Sequence, residues 1–247
     1  MLCLDNNKPV LNEKAFALNS KQVNEMIEKA RKKKLFLMEA LWTKFMPHYK
    51  KVVQMVKDGE LGTIKNVLVN FGFAPTPPIP ARLFDPSLGG GSLLDIGIYN
   101  IFIAISVLGK PDEIIASMTP SSTGVDEQCS MVFKYKNGAI AQLFTSLSTN
   151  LATEADISGD KGRIRLTSRF YEPSTTIEYY PGRPETKQII PYDKEPGWGY
   201  QYEARHVNEC LRKGVTESPI MSFADTILLM EIMDEVRKKA GVRYAVD

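Results

Sequence analysis

Apolar residues recur along this chain at two different periods, and the change of period organises it. Val23, Met26, Ile27 and Ala30 keep the 3.6-residue spacing of an amphipathic helix. Asn19 with Gln22 three residues on supplies a capping box at its start. Lys8-Pro9-Val10-Leu11 before that helix resembles a short buried strand, and Leu35-Phe36-Leu37-Met38 after it reads as a second. Residues 8–38 are therefore one strand–helix–strand unit, which by itself cannot bury both faces of a sheet. Residues 1–7 read as the frayed end of something longer. Pro47 suits the first turn of a further helix that runs to about Lys57 and stops at Gly59.

From there the period changes to two. Residues 63–73 alternate, with Val67, Val69, Phe71 and Phe73 on one face of a strand. Residues 74–91 are irregular, hold five prolines and a glycine triplet, and are long enough to be a functional loop. Ser92 and Asp95 then have the spacing of a capping box, so a helix is expected to begin at Ser92 and end at Gly109. Nearly every residue between is apolar, but Asp95, Tyr99 and Asn100 in its first half make it a core helix and not a membrane span. Seven short strands follow, at 113–118, 128–136, 139–148, 153–158, 162–167, 175–180 and 186–190. Asn137-Gly138 predicts a type I′ hairpin between two of them, and Gly159–Gly162 a bulged turn between two more. Two helices close the chain, one over about Gly199–Arg212 and one starting at Ser222 with Asp225 as a capping box. The fold class is α+β: an open, mostly antiparallel sheet with helices packed on one face, preceded by a βαβ remnant.

Composition narrows the partners. The chain has 247 residues, 43% of them hydrophobic and 24% charged, with a net charge of +2, and so is an ordinary globular protein with no call on nucleic acid or a membrane surface. The basic run Arg31–Lys34 closes a helix, where cations suit the dipole. Cys3, Cys129 and Cys210 are widely spaced and form no C-x-x-C, which argues for a reducing compartment, the cytoplasm by default, and against a disulfide frame or a metal site. No signal peptide opens the chain.

Three side chains stand out chemically. Lys14 follows a buried strand directly, at the carboxyl end where ligands of open α/β sheets bind; it is either a site ammonium or a surface lysine paired with a carboxylate. Asp95 and Tyr99 are four residues apart and share a helix face. Asp95 is either a capping carboxylate or a site residue, and Tyr99 either a core tyrosine or a phenol that exchanges a proton. The three preceding glycines would let backbone approach a ligand closely. His48 and His206 carry no metal-ligand spacing, and His206 with Glu203 and Cys210 reads as a packed helix face. Neither G-x-G-x-x-G nor a phosphate-binding P-loop occurs in the sequence.

Four long segments, in order, give these residues a context: KPVLNEKAFALN, LFLMEALWTKFMPHYKKVVQMVKDGELGTI, RLFDPSLGGGSLLDIGIYNI and YEARHVNECLRKG. Together they resemble the Gfo/Idh/MocA family of NAD(P)-dependent oxidoreductases, most closely its dimeric dihydrodiol dehydrogenase branch, over essentially the whole chain. The resemblance implies a C-terminal substrate and dimerisation domain over residues 41–247. It also implies that residues 1–40 are a remnant of a dinucleotide-binding Rossmann domain. By the same resemblance Lys14 is the signature lysine, Asp95 the signature aspartate, and Tyr99 the acid/base residue, its acidity raised by Lys14. Trp42, Phe45 and Arg82 are implied as substrate-pocket residues and Glu13 with Lys14 as cofactor-side residues. The implied cofactor is NAD or NADP, the substrate a sugar, polyol or dihydrodiol, and the assembly a homodimer through the sheet. Two departures matter: Ala15 stands where the signature has proline, and the glycine-rich βαβ unit that holds a pyrophosphate is missing. The expectation is an oxidoreductase that is inactive as this chain alone, or else a non-catalytic ligand-binding or dimerisation module.

Overall fold

The computed structural model describes residues 1–182 and 186–247. Residues 1–7 are not frayed: a short helix α1 (Leu2–Asp5) buries Leu4, and Lys29 pairs with Asp5 at 2.6 Å. The expected strand–helix–strand unit is present as β1 (Val10–Glu13), α2 (Ser20–Lys33) and β2 (Leu37–Ala40). β1 and β2 pair in parallel, Val10 opposite Leu37. β2 begins two residues later than the apolar run, because Leu35 and Phe36 lead the chain out of a left-handed Lys34 cap before pairing starts. A backbone bond from Leu37 to Thr216 and a bridge to Glu217 tie the outer edge of β2 to the C-terminal region.

Next come a 3₁₀ turn (Trp42–Phe45), α3 (Pro47–Lys57) and β3 (Ile64–Gly72). The apolar helix α4 (Ile98–Leu108) leads to β4 (Glu113–Pro120), β5 (Asp126–Lys134), β6 (Ile140–Ser146), β7 (Ala155–Gly159), β8 (Gly162–Leu166), β9 (Ile177–Pro181) and β10 (Gln188–Ile190). The chain finishes in α5 (Tyr200–Arg212) and α6 (Phe223–Ala240). Strands β3 to β10 form one eight-stranded sheet in the order β10-β9-β8-β7-β3-β6-β5-β4, antiparallel except where β3 meets β6.

The pleat sorts the two faces. A row running Met131, Leu143, Val69, Ala155, Leu166 and Ile177 across five pairings lies inside, beneath α4 and α6. The row one residue along, Ile115, Val132, Gln142, Leu68, Asp156 and Arg165, faces outward and mixes apolar with charged side chains. α4 is long and apolar enough, with the residues before it, to pass for a membrane span, yet most of that stretch is buried inside the protein.

One turn differs from its expected type. Gly138 has φ +84° while Asn137 does not enter the left-handed region, whereas a type I′ turn needs both. The Asn137 side chain instead accepts from the Ala139 N–H at 3.0 Å, and Gly138 closes a three-residue loop by donating to the Tyr135 carbonyl.

Candidate functional site

Lys14, Trp42 and the start of the α4 segment converge from three parts of the chain. Lys14 leaves the end of β1, and its Nζ donates to the Asp95 backbone oxygen at 2.5 Å and to Asp95 Oδ1 at 3.3 Å. Arg82, from the proline-rich loop, reaches the same Oδ1 at 2.9 Å. The ammonium of Lys14 also stands 5.2 Å from the centre of the Tyr99 ring, over its face. Trp42 donates its indole N–H to the Tyr99 hydroxyl at 2.8 Å. The Lys14–Ala15 peptide is cis, with Ala15 in the place of proline.

The expected capping box at Ser92 is not what starts this helix. Leu93–Gly97 is a π-helical turn, and Ser92 makes no cap to it. Its hydroxyl instead donates to Asp126 Oδ2 at 2.8 Å and meets Thr145 Oγ1, while the Leu93 N–H goes to the same Asp126 oxygen at 2.6 Å. A carboxylate from β5 thus takes over the first free amide, and Asp95 is released to hold Lys14 and Arg82. The glycines before the turn serve close packing against protein. A Cβ on Gly91, whose φ is +122°, would meet Asp126 Oδ1 at 2.3 Å, and one on Gly90 would meet the Asp85 backbone.

Around Tyr99 the walls are aromatic. Tyr171 stacks on Phe71 at 4.5 Å and lies 5.2 Å from Tyr99; Tyr200 stacks on Trp42 at 4.3 Å. Burial pushes the Tyr99 phenol well above its ordinary value, against the opposing effect of the Trp42 hydrogen bond. Burial thus outweighs any acidity that Lys14 lends the phenol, its ammonium being paired with Asp95 and placed over the ring. Tyr99 is therefore a neutral phenol.

Of the other expected residues, Glu13 is exposed at the end of β1, beside Lys14. Its charge, added to burial, pushes Glu203 on α5 up to about 7, and one Glu203 oxygen is buried without a partner. Phe45 does not reach the cluster: it is fully buried and packs 5.1 Å from the His206 ring. His206 itself meets Ser218 at 2.7 Å and Cys210 at 3.4 Å, the packed helix face expected. Tyr171 and Tyr200 went unnoticed in the sequence, and Phe71 was read only as a buried strand position. The only local sign was the aromatic density of Trp198-Gly199-Tyr200-Gln201-Tyr202.

A cavity of about 310 Å³ opens on the other side of the Lys14–Asp95 pair, lined by Ala15, Leu18, Arg82, Gly89 and Leu94 among others. It is large enough for a ring and its sugar, and its two cations and one carboxylate suit a polar ring substituent and hydroxyls. Among the described residues no glycine-rich strand-to-helix turn is present to cradle a pyrophosphate, so these residues fit the nicotinamide end of a dinucleotide only.

Comparison with known proteins places the fold and the family. Residues 49–165 match the model of the Gfo/Idh/MocA C-terminal domain. The trans-1,2-dihydrobenzene-1,2-diol dehydrogenase of Xenopus laevis is 39% identical over 251 residues, covering 99% of this chain and 74% of that protein. Among solved structures, the aldose-aldose oxidoreductase of Caulobacter crescentus, complexed with glycerol, superposes with a TM-score of 0.86 at 24% identity, over 97% of this chain and 72% of that one. A 3-ketoreductase from Actinomadura kijaniata, in complex with NADP and TDP-benzene, gives a TM-score of 0.84 at 24% identity, over 97% and 73%. The chain belongs to the Gfo/Idh/MocA family of oxidoreductases. Within that family it is close to the dihydrodiol dehydrogenases.

Proposed function

We propose that these residues form the substrate- and proton-handling part of a nicotinamide-dependent oxidoreductase that interconverts a hydroxyl and a carbonyl on a sugar, cyclic polyol or dihydrodiol. One observation carries the reading: the Tyr99 oxygen accepts from Trp42, and among the described residues nothing accepts the Tyr99 proton. A neutral phenol so held has its own O–H available for a substrate oxygen. Lys14, held by Asp95 over the ring, adds positive charge on the side of the phenol and favours negative charge developing on that oxygen. Trp42, Tyr171 and Tyr200 give a ring-shaped substrate flat apolar walls and exclude water, which favours a dihydrodiol over an open-chain sugar. The cavity beside Lys14 would hold the nicotinamide end of the cofactor, which would give hydride as NAD(P)H in carbonyl reduction and take it as NAD(P)+ in alcohol oxidation.

In this reading residues 1–40 belong to a nucleotide-binding domain, and residues 41–247 are the substrate domain. The outward sheet face, with Leu68, Ile115 and Ile140 exposed, pairs two copies in the cytoplasm. Sedimentation showing only monomer at micromolar concentration would remove the dimer from the proposal. In a second reading these 247 residues, among which G-x-G-x-x-G does not occur, by themselves bind ligand or dimerise without turning over. Calorimetric titration with NAD(H) and NADP(H) separates the two. Saturable binding, followed by oxidation of dihydrodiols that Tyr99→Phe abolishes, supports the oxidoreductase; no binding up to millimolar cofactor supports the non-catalytic module.

A further inference from the structure

Away from the Tyr99 cluster, α3, α4 and α6 leave a groove of about 490 Å³ that the chemistry above does not use. Its floor is apolar, built from Val53, Phe102, Ile105 and Leu228 with their neighbours. The two hydroxyls on that floor are already spent. Tyr49 donates to Ser106 Oγ at 2.7 Å, and Ser106 donates to the Phe102 carbonyl at 2.6 Å. A ligand acceptor entering there would exchange its water for no hydroxyl proton, so with the apolar side chains around it the interior favours an apolar body.

The rim has the opposite character. Three ammonium groups, Lys44, Lys50 and Lys57, line the groove against one carboxylate, Asp225. Lys44 pairs with that carboxylate at 2.9 Å. Lys50 and Lys57 are exposed, and among the described residues neither has an ion-pair partner. They stand seven residues apart on α3, about two helical turns, on the same side of the helix as Val53.

We infer that this groove is a binding site for a small amphiphilic anion, an apolar chain or ring carrying a carboxylate head. The apolar floor takes the body, and Lys50 and Lys57 at the mouth take the head. Its volume lies within the range of small-molecule sites. Unpaired ammonium groups disfavour a cationic amphiphile of the same length, and this sign dependence distinguishes a site from a merely sticky surface. Phe102 lies one helical turn beyond Tyr99 on α4, so an occupant would rest on the helix that presents the phenol.

The test is calorimetric titration of the full chain with decanoate and with decyltrimethylammonium, both below their micelle concentrations. Saturable one-to-one binding of decanoate is expected, with the cation at least about tenfold weaker. Lys50→Glu combined with Lys57→Glu reverses the rim charge on exposed positions and is expected to weaken decanoate about tenfold or more. Leu228→Trp, which fills the groove from α6, is expected to abolish it. Absence of saturable decanoate binding would overturn the inference, as would equal affinity for the two amphiphiles or a charge-reversed variant that binds decanoate as the parent does. None of these readouts involves nicotinamide or Tyr99.

Discussion

The sequence contains the same four-residue motif twice, and the structure uses its two copies differently. At Ser222-Phe223-Ala224-Asp225 the motif is a closed capping box: Ser222 Oγ accepts from the Asp225 N–H, and Asp225 accepts from the Ser222 N–H. At Ser92-Leu93-Leu94-Asp95 neither half caps the other. Ser92 is drawn to Asp126 and Thr145, and Asp95 to Lys14 and Arg82. The first copy closes its box within one turn of chain, with Lys44 added to the outside of Asp225 at 2.9 Å, while the second makes no box and is satisfied only by residues up to 81 positions away. A carboxylate relieved of local duty by a distant one is free to organise a site.

Substitutions at these aspartates break the comparison in order of size. Asp126→Ala leaves the Leu93 N–H buried without an acceptor and the Ser92 hydroxyl with Thr145 alone, and is expected to cost about 3 kcal/mol. In a chain of this length that lowers the melting temperature by about 6–12 °C. Asp225→Ala opens the working capping box and should cost about 1 kcal/mol, read by the same thermal melt. Asp95→Asn should cost only about 0.5 kcal/mol, since the Asp95 backbone oxygen still holds Lys14, while removing the charge that steers the ammonium. If Asp95→Asn melts as low as Asp225→Ala, the two copies are doing the same job.

Acidity sharpens the contrast. Burial pushes Asp126 up to about 6 from an ordinary 3.8, against the hydrogen bonds from Ser92 and Leu93. A carboxyl with a raised folded value binds its proton more tightly when folded. Its contribution to stability is therefore full below about pH 3.8 and is lost as pH rises through about 6. Asp126→Asn, which keeps an acceptor oxygen, should show a smaller fall in melting temperature between pH 4 and pH 7 than the parent. Glu39 and Glu203, both pushed up to about 7, keep part of that fall in either protein.

How much of this was legible follows the same division. Pro47 opening a helix that ends at Lys57, the alternation that made Val67, Val69 and Phe71 a buried strand face, and the Ser222 box are all short-range, and each was readable in place. The Asn137-Gly138 turn type was misjudged because Asn137 used its side chain, and not a left-handed backbone, to close the loop. The π-turn at Leu93 was invisible because its cause, Asp126, sits on a strand that pairs elsewhere. Lys14, Asp95 and Tyr99 were legible as candidates, and they do come together. The Trp42 hydrogen bond and the Tyr171 and Tyr200 walls depend on a 3₁₀ turn, a loop and a helix meeting in space, which no local pattern announces.

The central claim is that this released carboxylate holds Lys14 over the face of a phenol that stays neutral and keeps its proton for a substrate. Titration of ¹³Cζ-labelled tyrosine by NMR, with Tyr99→Phe to assign the signal, reads that proton directly. The account predicts a Tyr99 midpoint above the ordinary tyrosine value of 10.0. A Tyr99 midpoint at or below 10.0 would contradict it, and would mean that Lys14 acts on the hydroxyl after all.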